Sequence, residues 1–297
     1  MKRNNLLKAL ATAATVVTLG LAVQADASII YWDQFAGFRQ GSEIPAILDF
    51  SAPVTDPKAP ASAFADIAWV SGSSPQSQLN IATYDSGVLG ENPFNVNGST
   101  SDTKKIATLT QTNRGISTTP TFTVDTPGIF RLYTNVARTL GNQISPPSPD
   151  ASITNIRFWE TPNAPAASPI PPDSPNGPGA GPAGGVNDDR YRLTTAGFGP
   201  VLFTFEGQLY ELFFDLIPGV GAAAFDSTAL GNDPTGQPWD PPPGSRDIWT
   251  LEPVGGGIGT SQVDVYATIR PIPEPGTITL LGLGLFGIAV GMRKRRK

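Results

Sequence analysis

The sequence predicts an all-β protein, folded as an antiparallel β-sandwich or jelly roll, with a targeting segment at each end. About ten to twelve short segments rich in β-branched and aromatic residues alternate with turn signals. The chain has 32 glycines and 30 prolines, together 62 of its 297 residues, which implies many turns. No amphipathic helix is visible before the C-terminal tail. These observations favour antiparallel sheets packed face to face.

The first half of the chain contains most of the predicted strands. Residues 28–41 are rich in aromatic side chains and predict the first strand. Residues 43–50 include Pro45, which cannot donate a ladder hydrogen bond, so they predict an edge strand. Residues 85–101 are rich in turn signals. Alternating or β-branched patterns predict further strands at 63–70, 78–84, 104–112, 120–124, 128–138 and 152–160.

The second half begins with a long predicted loop, because residues 161–185 are dominated by Pro, Gly, Ala and Ser. This loop could divide two domains, but the strands before it are few for a self-contained sandwich, so we favour one domain over residues 28–270. Residues 231–245 form a second Pro/Gly-rich loop. A hairpin is predicted around Gly207, from 201–206 and 208–216. Strands are also predicted at 191–195, 246–252 and 261–270.

The C-terminal tail combines an apolar segment with a basic end. Residues 276–292 contain no charged side chain, and a helix of that length is ~26 Å long, close to the bilayer core of ~30 Å. A buried core helix is the alternative, and the glycines of the segment argue against it. The tail therefore predicts one transmembrane helix. It is stopped on the cytoplasmic side by five cations, namely Arg293, Lys294, Arg295, Arg296 and Lys297.

Three features follow one another in this tail: Pro273-Glu274-Pro275, the glycine-rich apolar segment and the terminal Arg/Lys cluster. In that order they resemble a PEP-CTERM sorting signal. The resemblance implies recognition in the membrane by an exosortase, which processes the protein near the Pro-Glu-Pro. It also implies a Gram-negative bacterium that makes exopolysaccharide, and hence a protein of the cell surface or biofilm matrix.

The N-terminus has the three parts of a signal peptide. Lys2, Arg3 and Lys8 give a basic start, and residues 9–23 are apolar. Ala25-Asp26-Ala27 is a small-x-small cleavage site for signal peptidase, so the mature chain is expected to begin at Ser28. An uncleaved membrane anchor is the alternative. With the tail, this segment predicts an exported protein held in the membrane as a precursor.

A second resemblance lies in Thr110-Gln111-Thr112-Asn113, which is similar to the T-H-x-N signature of the THxN-type PEP-CTERM proteins. Segments 158–163 and 187–189 follow in the order found in that group. Gln111 stands where the signature has histidine, so no role of that histidine transfers to this chain. Nothing about enzymatic activity follows from this resemblance.

Composition excludes several classes of function. Without the signal peptide and the terminal cations, the chain keeps 12 Lys and Arg against 24 Asp and Glu, a net charge of −12. Such acidity disfavours nucleic acid as a partner, because phosphates would be repelled. The chain has no histidine and no cysteine, which excludes His-dependent catalytic triads and disulfides. No cofactor is expected.

Few residues suggest a chemical site. Asp188 and Asp189 could supply oxygen ligands to Ca²⁺, but the spacing of a calcium loop is missing, so a solvated turn is favoured. Four scattered glutamates could include the carboxylate pair of a glycosidase. They are Glu160, Glu206, Glu211 and Glu252. The five tryptophans could form a sugar-stacking platform, although core packing suits most of them better. They are Trp32, Trp69, Trp159, Trp239 and Trp249.

The leading hypothesis from sequence is therefore a non-enzymatic, exported protein of the cell surface or extracellular matrix. Its expected partners are signal peptidase, an exosortase and the membrane. A carbohydrate-binding module for the exopolysaccharide is the alternative, followed by a glycosidase.

Overall fold

The part of the protein that the structure describes consists almost entirely of β-strands. The computed structural model describes residues 28–39, 48–51, 53, 63–69, 76–86, 92–96, 100–114, 121–144, 152–159, 189–194, 200–225, 245–250, 258–272 and 284. Within these ranges lie fourteen strands and one short 3₁₀ turn, Leu140–Asn142. The strands are β1 Ser28–Ala36, β2 Leu48–Phe50, β3 Asp66–Trp69, β4 Ser77–Thr83, β5 Phe94–Val96, β6 Asp102–Arg114, β7 Thr121–Tyr133, β8 Ser152–Trp159, β9 Asp189–Thr194, β10 Val201–Phe205, β11 Gln208–Pro218, β12 Ala222–Phe225, β13 Ser245–Thr250 and β14 Ile258–Pro271.

The strands form two antiparallel sheets of seven strands each, which confirms the predicted all-β class. Sheet I has the order β12-β13-β9-β8-β7-β1-β5, and sheet II has the order β10-β11-β14-β6-β4-β3-β2. Both sheets take strands from before and after residues 161–185. The long strands β6 and β14 pair at the centre of sheet II, from Ile258 opposite Arg114 to Ile269 opposite Asp102.

One hydrophobic core lies between the sheets. Side chains two apart on a strand share a face. The core therefore includes alternate residues of β14, namely Val263, Val265, Ala267 and Ile269. Aromatic rings join the two layers. Trp69 of sheet II lies 5.2 Å from Phe122 and 4.8 Å from Phe158 of sheet I, measured between ring centroids. The sequence of residues 261–270, in which Val263, Val265, Ala267 and Ile269 alternate with Gln262, Asp264, Thr268 and Arg270, predicts this inward face, and the structure confirms it.

Several strand predictions are confirmed and others are wrong. β2 lies at an edge of sheet II, and β10 and β11 form the predicted hairpin. β5 lies inside the segment predicted only as turns, and β12 was not predicted. The segments 120–124 and 128–138 are not separate strands. They are replaced by the single strand β7, which ends at Tyr133, so Val136 is 62% exposed and shares no buried face with Phe130.

Pro127 explains why β7 looked like two strands. Proline usually interrupts a central strand because it lacks an N–H donor. Here the carbonyl oxygen of Pro127 accepts a hydrogen bond from the Gly37 amide, on the side of β1. The N and the C=O of one strand residue point to the same side, so the missing donor costs no bond to β8. Pairing with β8 continues through Pro127, opposite Ile153.

Within the residue ranges that the structure describes, no helix is long and apolar enough to cross a membrane. The predicted signal peptide (1–27) and most of the predicted transmembrane segment (276–292) lie outside the described residues. The same holds for Pro273-Glu274-Pro275, for the five terminal cations, and for the predicted loops apart from Ser245.

Candidate functional site

The C-terminal end of β14 is tied to the β10–β11 hairpin. Pro271, the last residue of β14, pairs with Tyr210. The amide of Ile272 donates to the carbonyl oxygen of Leu209 at 2.8 Å. The side-chain amide of Gln208 donates to the carbonyl oxygen of Ile272 at 2.8 Å and to that of Leu209 at 2.9 Å. Both backbone polar groups of Ile272 are therefore bound to the hairpin.

The hairpin turn consists of two residues with left-handed backbone conformations. Glu206 has φ +49° and Gly207 has φ +80°. Positive φ at both positions is the signature of the type I′ turn that best fits the twist of paired strands. Glycine adopts this conformation without steric cost, whereas glutamate rarely does. The turn therefore fixes Gln208 directly beside the end of β14.

The N-terminal end of the domain reaches the same turn. The hydroxyl of Ser28 donates to Oε2 of Glu206, and Ser28 is the first residue of β1. Burial raises the pKa of Tyr210, and the charge of Glu206 raises it further. We call this end of the domain the exit pole and define it by Ser28, Glu206, Gln208, Leu209, Pro271 and Ile272. Both ends of the described domain meet there.

The outer surface of sheet II near the exit pole carries paired charges. Arg270 of β14 forms an ion pair with Glu211 of β11, and its guanidinium carbon lies 5.2 Å from the centre of the Phe213 ring. On the inner face of the same end of the sheet, Lys104 lies 3.1 Å from Asp102, and these two residues are paired with the core residues Ala267 and Ile269 of β14. Both ion pairs are partly solvent-exposed.

A second polar group lies inside the domain, near the opposite end. Gln111 and Asn113 of β6 donate from their side-chain amides to Oδ2 of Asp189 on β9, the first at 3.2 Å. The hydroxyl of Ser77 on β4 donates to Oδ1 of Asn113 at 3.2 Å. We call Ser77, Gln111, Asn113 and Asp189 the buried polar cluster, because each is at most 2% exposed. The cluster joins β4 and β6 of sheet II to β9 of sheet I.

Gln111 also lines a small cavity between the sheets, together with Leu109, Tyr191 and Leu193. Its side-chain oxygen is buried and has no hydrogen-bond partner among the residues that the structure describes. The cavity has a volume of about 20 Å³, enough for one water molecule. It is too small for a sugar ring.

The structure places only some of the candidate residues from the sequence. Asp189 binds Gln111 and Asn113, whereas Asp188 lies outside the described residues. Within the described part of the chain, no three Asp or Glu side chains form a group that could hold a metal ion. The contact between Asp189 and residues 111 and 113 was not predicted. The available signal was the period of two that puts Leu109, Gln111 and Asn113 on one face of β6.

Both tryptophans whose side chains the structure describes are core residues. Trp32 and Trp69 are both fully buried, so neither can form an exposed sugar platform. The side chains of Trp159, Trp239 and Trp249 lie outside the description. Of the candidate glutamates, Glu206 contacts Ser28 and Glu211 contacts Arg270, while Glu160 and Glu252 lie outside the described residues.

A family model for a PEP-CTERM protein-sorting motif matches residues 271–296. The tail carries a PEP-CTERM protein-sorting motif. The match begins at Pro271, so the PEP-CTERM segment overlaps the last residue of β14 and includes Ile272 of the exit pole. It indicates an exported protein that is sorted and processed at the membrane by an exosortase. The THxN type is not confirmed. No curated protein and no solved structure matches the chain.

Proposed function

We propose that this protein is a non-enzymatic component of the cell surface or extracellular matrix. In this proposal, signal peptidase removes residues 1–27 and the tail holds the precursor in the membrane. An exosortase then processes the chain near Pro273-Glu274-Pro275, and the two-sheet domain is displayed outside the cell. The observation that carries the proposal is the PEP-CTERM motif at residues 271–296.

The arrangement of the chain ends supports this route. A precursor held by a signal peptide and by a C-terminal segment has both ends at the same membrane. Ser28 and Ile272 both reach the β10–β11 hairpin, one through Glu206 and the other through Gln208 and Leu209. A folded domain with its ends at one pole can therefore be attached at both ends without unfolding.

The alternatives have less support. A carbohydrate-binding module needs exposed aromatic faces, and Trp32 and Trp69 are in the core. A glycosidase needs two carboxyl groups facing one substrate. Glu211 instead forms an ion pair across β11 and β14, and Glu206 contacts the start of β1. We therefore propose display of the domain rather than binding or hydrolysis of polysaccharide.

Cell fractionation tests the proposal. The full chain is expressed in its host, with and without a functional exosortase, and followed with an antibody to the domain. We expect a surface or extracellular product with the exosortase and a membrane-bound precursor without it. Deleting residues 273–297 is the matched control and should release the chain without processing. Identical fractions in both strains would refute the proposal.

A further inference from the structure

We propose that Gln208 and Leu209 form a clasp on Ile272 that limits how much of the chain the exosortase can engage. The clasp consists of the three hydrogen bonds that join these residues. This inference rests on the proposed function, since it concerns how the same sorting segment is processed. It assigns a positioning role to Gln208, a residue of the folded domain outside the matched motif.

The geometry of Ile272 carries the inference. Its amide is bound to the Leu209 carbonyl and its carbonyl is bound to the Gln208 side chain, each at 2.8 Å. Enzymes and receptors that take up an extended peptide commonly do so through such main-chain groups. The groups of Ile272 are already occupied. An exosortase can therefore bind Ile272 only after the clasp opens.

The sequence leaves little chain beyond the clasp. Pro273-Glu274-Pro275 separates Ile272 from the apolar segment that begins at Gly276. Three residues extend at most ~10 Å, and two of them are prolines, which have no N–H to offer. An enzyme in the membrane must therefore work directly against the exit pole. Local opening of a few hydrogen bonds at the end of a strand is the event that would extend its reach.

The chemical step itself needs nothing from the clasp. Cleavage breaks one peptide bond. A nucleophile that carries a proton, water in the simplest case, forms the new bond to the acyl carbon. The proton passes to the new amino group of the departing tail. Opening of the clasp precedes this step and changes only how often the bond is accessible.

Pulse–chase processing of the full chain, co-expressed with the exosortase, tests the clasp. Gln208→Glu keeps the shape of the side chain but removes the amide donor, and Gln208→Ala removes the whole group. Both should speed processing roughly three- to ten-fold, the range expected for one hydrogen bond. Thr204→Ala, at an exposed position of the same hairpin, is the control and should process at the wild-type rate.

A spacer separates the clasp from general destabilisation. Six Gly/Ser residues inserted after Ile272 should speed processing with Gln208 intact, and in that background Gln208→Ala should have no further effect. Unchanged or slower processing in the Gln208 variants, or an undiminished effect of Gln208→Ala in the spacer variant, would overturn the clasp. If the wild-type chain is not processed at all, it is the proposed function that fails.

Discussion

The exit pole and the buried polar cluster are both held by polar contacts, but under opposite conditions. The two regions lie at opposite ends of β6. Asp102 of this strand is paired with Ile269 near the end of β14, and Gln111 lies roughly 30 Å farther along β6. At the exit pole, Glu206 is solvent-exposed and Gln208 is half-buried. In the cluster, Gln111, Asn113 and Asp189 are at least 98% buried. Similar hydrogen bonds therefore join the sheets at one end and hold the chain exit at the other.

The difference in burial determines what each contact is worth. A hydrogen bond or ion pair at an exposed position contributes little, because water solvates the separated groups almost as well. A buried carboxylate is different, since removing it leaves its donors without water and without a partner. The exit pole can therefore open at low cost, whereas the cluster should open only when the sheets separate.

The largest expected effect is that of Asp189→Ala. It leaves the side-chain amides of Gln111 and Asn113 buried without their acceptor, and we expect a loss of about 3 kcal/mol in the free energy of unfolding. Urea unfolding followed by tryptophan fluorescence measures it, because Trp32 and Trp69 are core residues. Glu206→Ala at the exit pole is the matched carboxylate control, with an expected loss below about 1 kcal/mol. Equal losses in the two variants would break the comparison.

Within the cluster, Asn113→Leu should cost more than Gln111→Leu. Both polar atoms of Asn113 are used, by Ser77 and by Asp189, whereas the side-chain oxygen of Gln111 has no partner in the described structure. Replacing Gln111 therefore removes one bond and also one unsatisfied acceptor. We expect about 2 kcal/mol for Asn113→Leu and about 1 kcal/mol for Gln111→Leu. The reverse order would contradict the assigned contacts.

Tyr133 sharpens the comparison, because it is buried although it lies on the exit-pole side of β7. Burial raises its pKa from 10.0 to about 12, and the nearby Asp33 carboxylate, which accepts its hydrogen bond, adds to the shift. The folded state then holds the proton more tightly than the unfolded state. Its contribution to stability is complete below pH 10 and is lost as the pH rises from 10 towards 12.

The ultraviolet absorbance of tyrosinate measures this titration. One tyrosine should ionise near pH 12 in the wild type, and that step should be missing in Tyr133→Phe. A titration near pH 12 that is the same in the wild type and in Tyr133→Phe would show that burial does not protect this hydroxyl.

The smallest expected effect is at the Arg270–Glu211 pair. Arg270 keeps 56% of its side chain exposed, so Arg270→Ala should lower the free energy of unfolding by less than about 1 kcal/mol. High salt should reduce the difference from the wild type further, because it screens exposed charges. A loss as large as that of Asp189→Ala would mean that exposure does not distinguish the two ends.

The sequence allowed the two ends to be predicted to different extents. Local rules predict the β10–β11 hairpin, because Gly207 marks a turn. They also predict the inward face of β14, because the apolar Val263 and Val265 alternate with polar residues such as Asp264. The contact of Asp189 with Gln111 could not be predicted, since it depends on which strands of the two sheets face each other across the core. β7 was divided wrongly because the effect of Pro127 depends on the direction of its missing donor. The clasp on Ile272 required the register of β11 against β14.

The most direct test of the central claim is the intact mass of the protein recovered from host cells that contain the exosortase. We expect a chain that begins at Ser28 and has lost the terminal Arg/Lys cluster. In cells without the exosortase, the same N-terminus should be joined to the complete tail. A full-length chain recovered from the cytosol, with residues 1–27 and 273–297 both present, would show that the protein is neither exported nor processed.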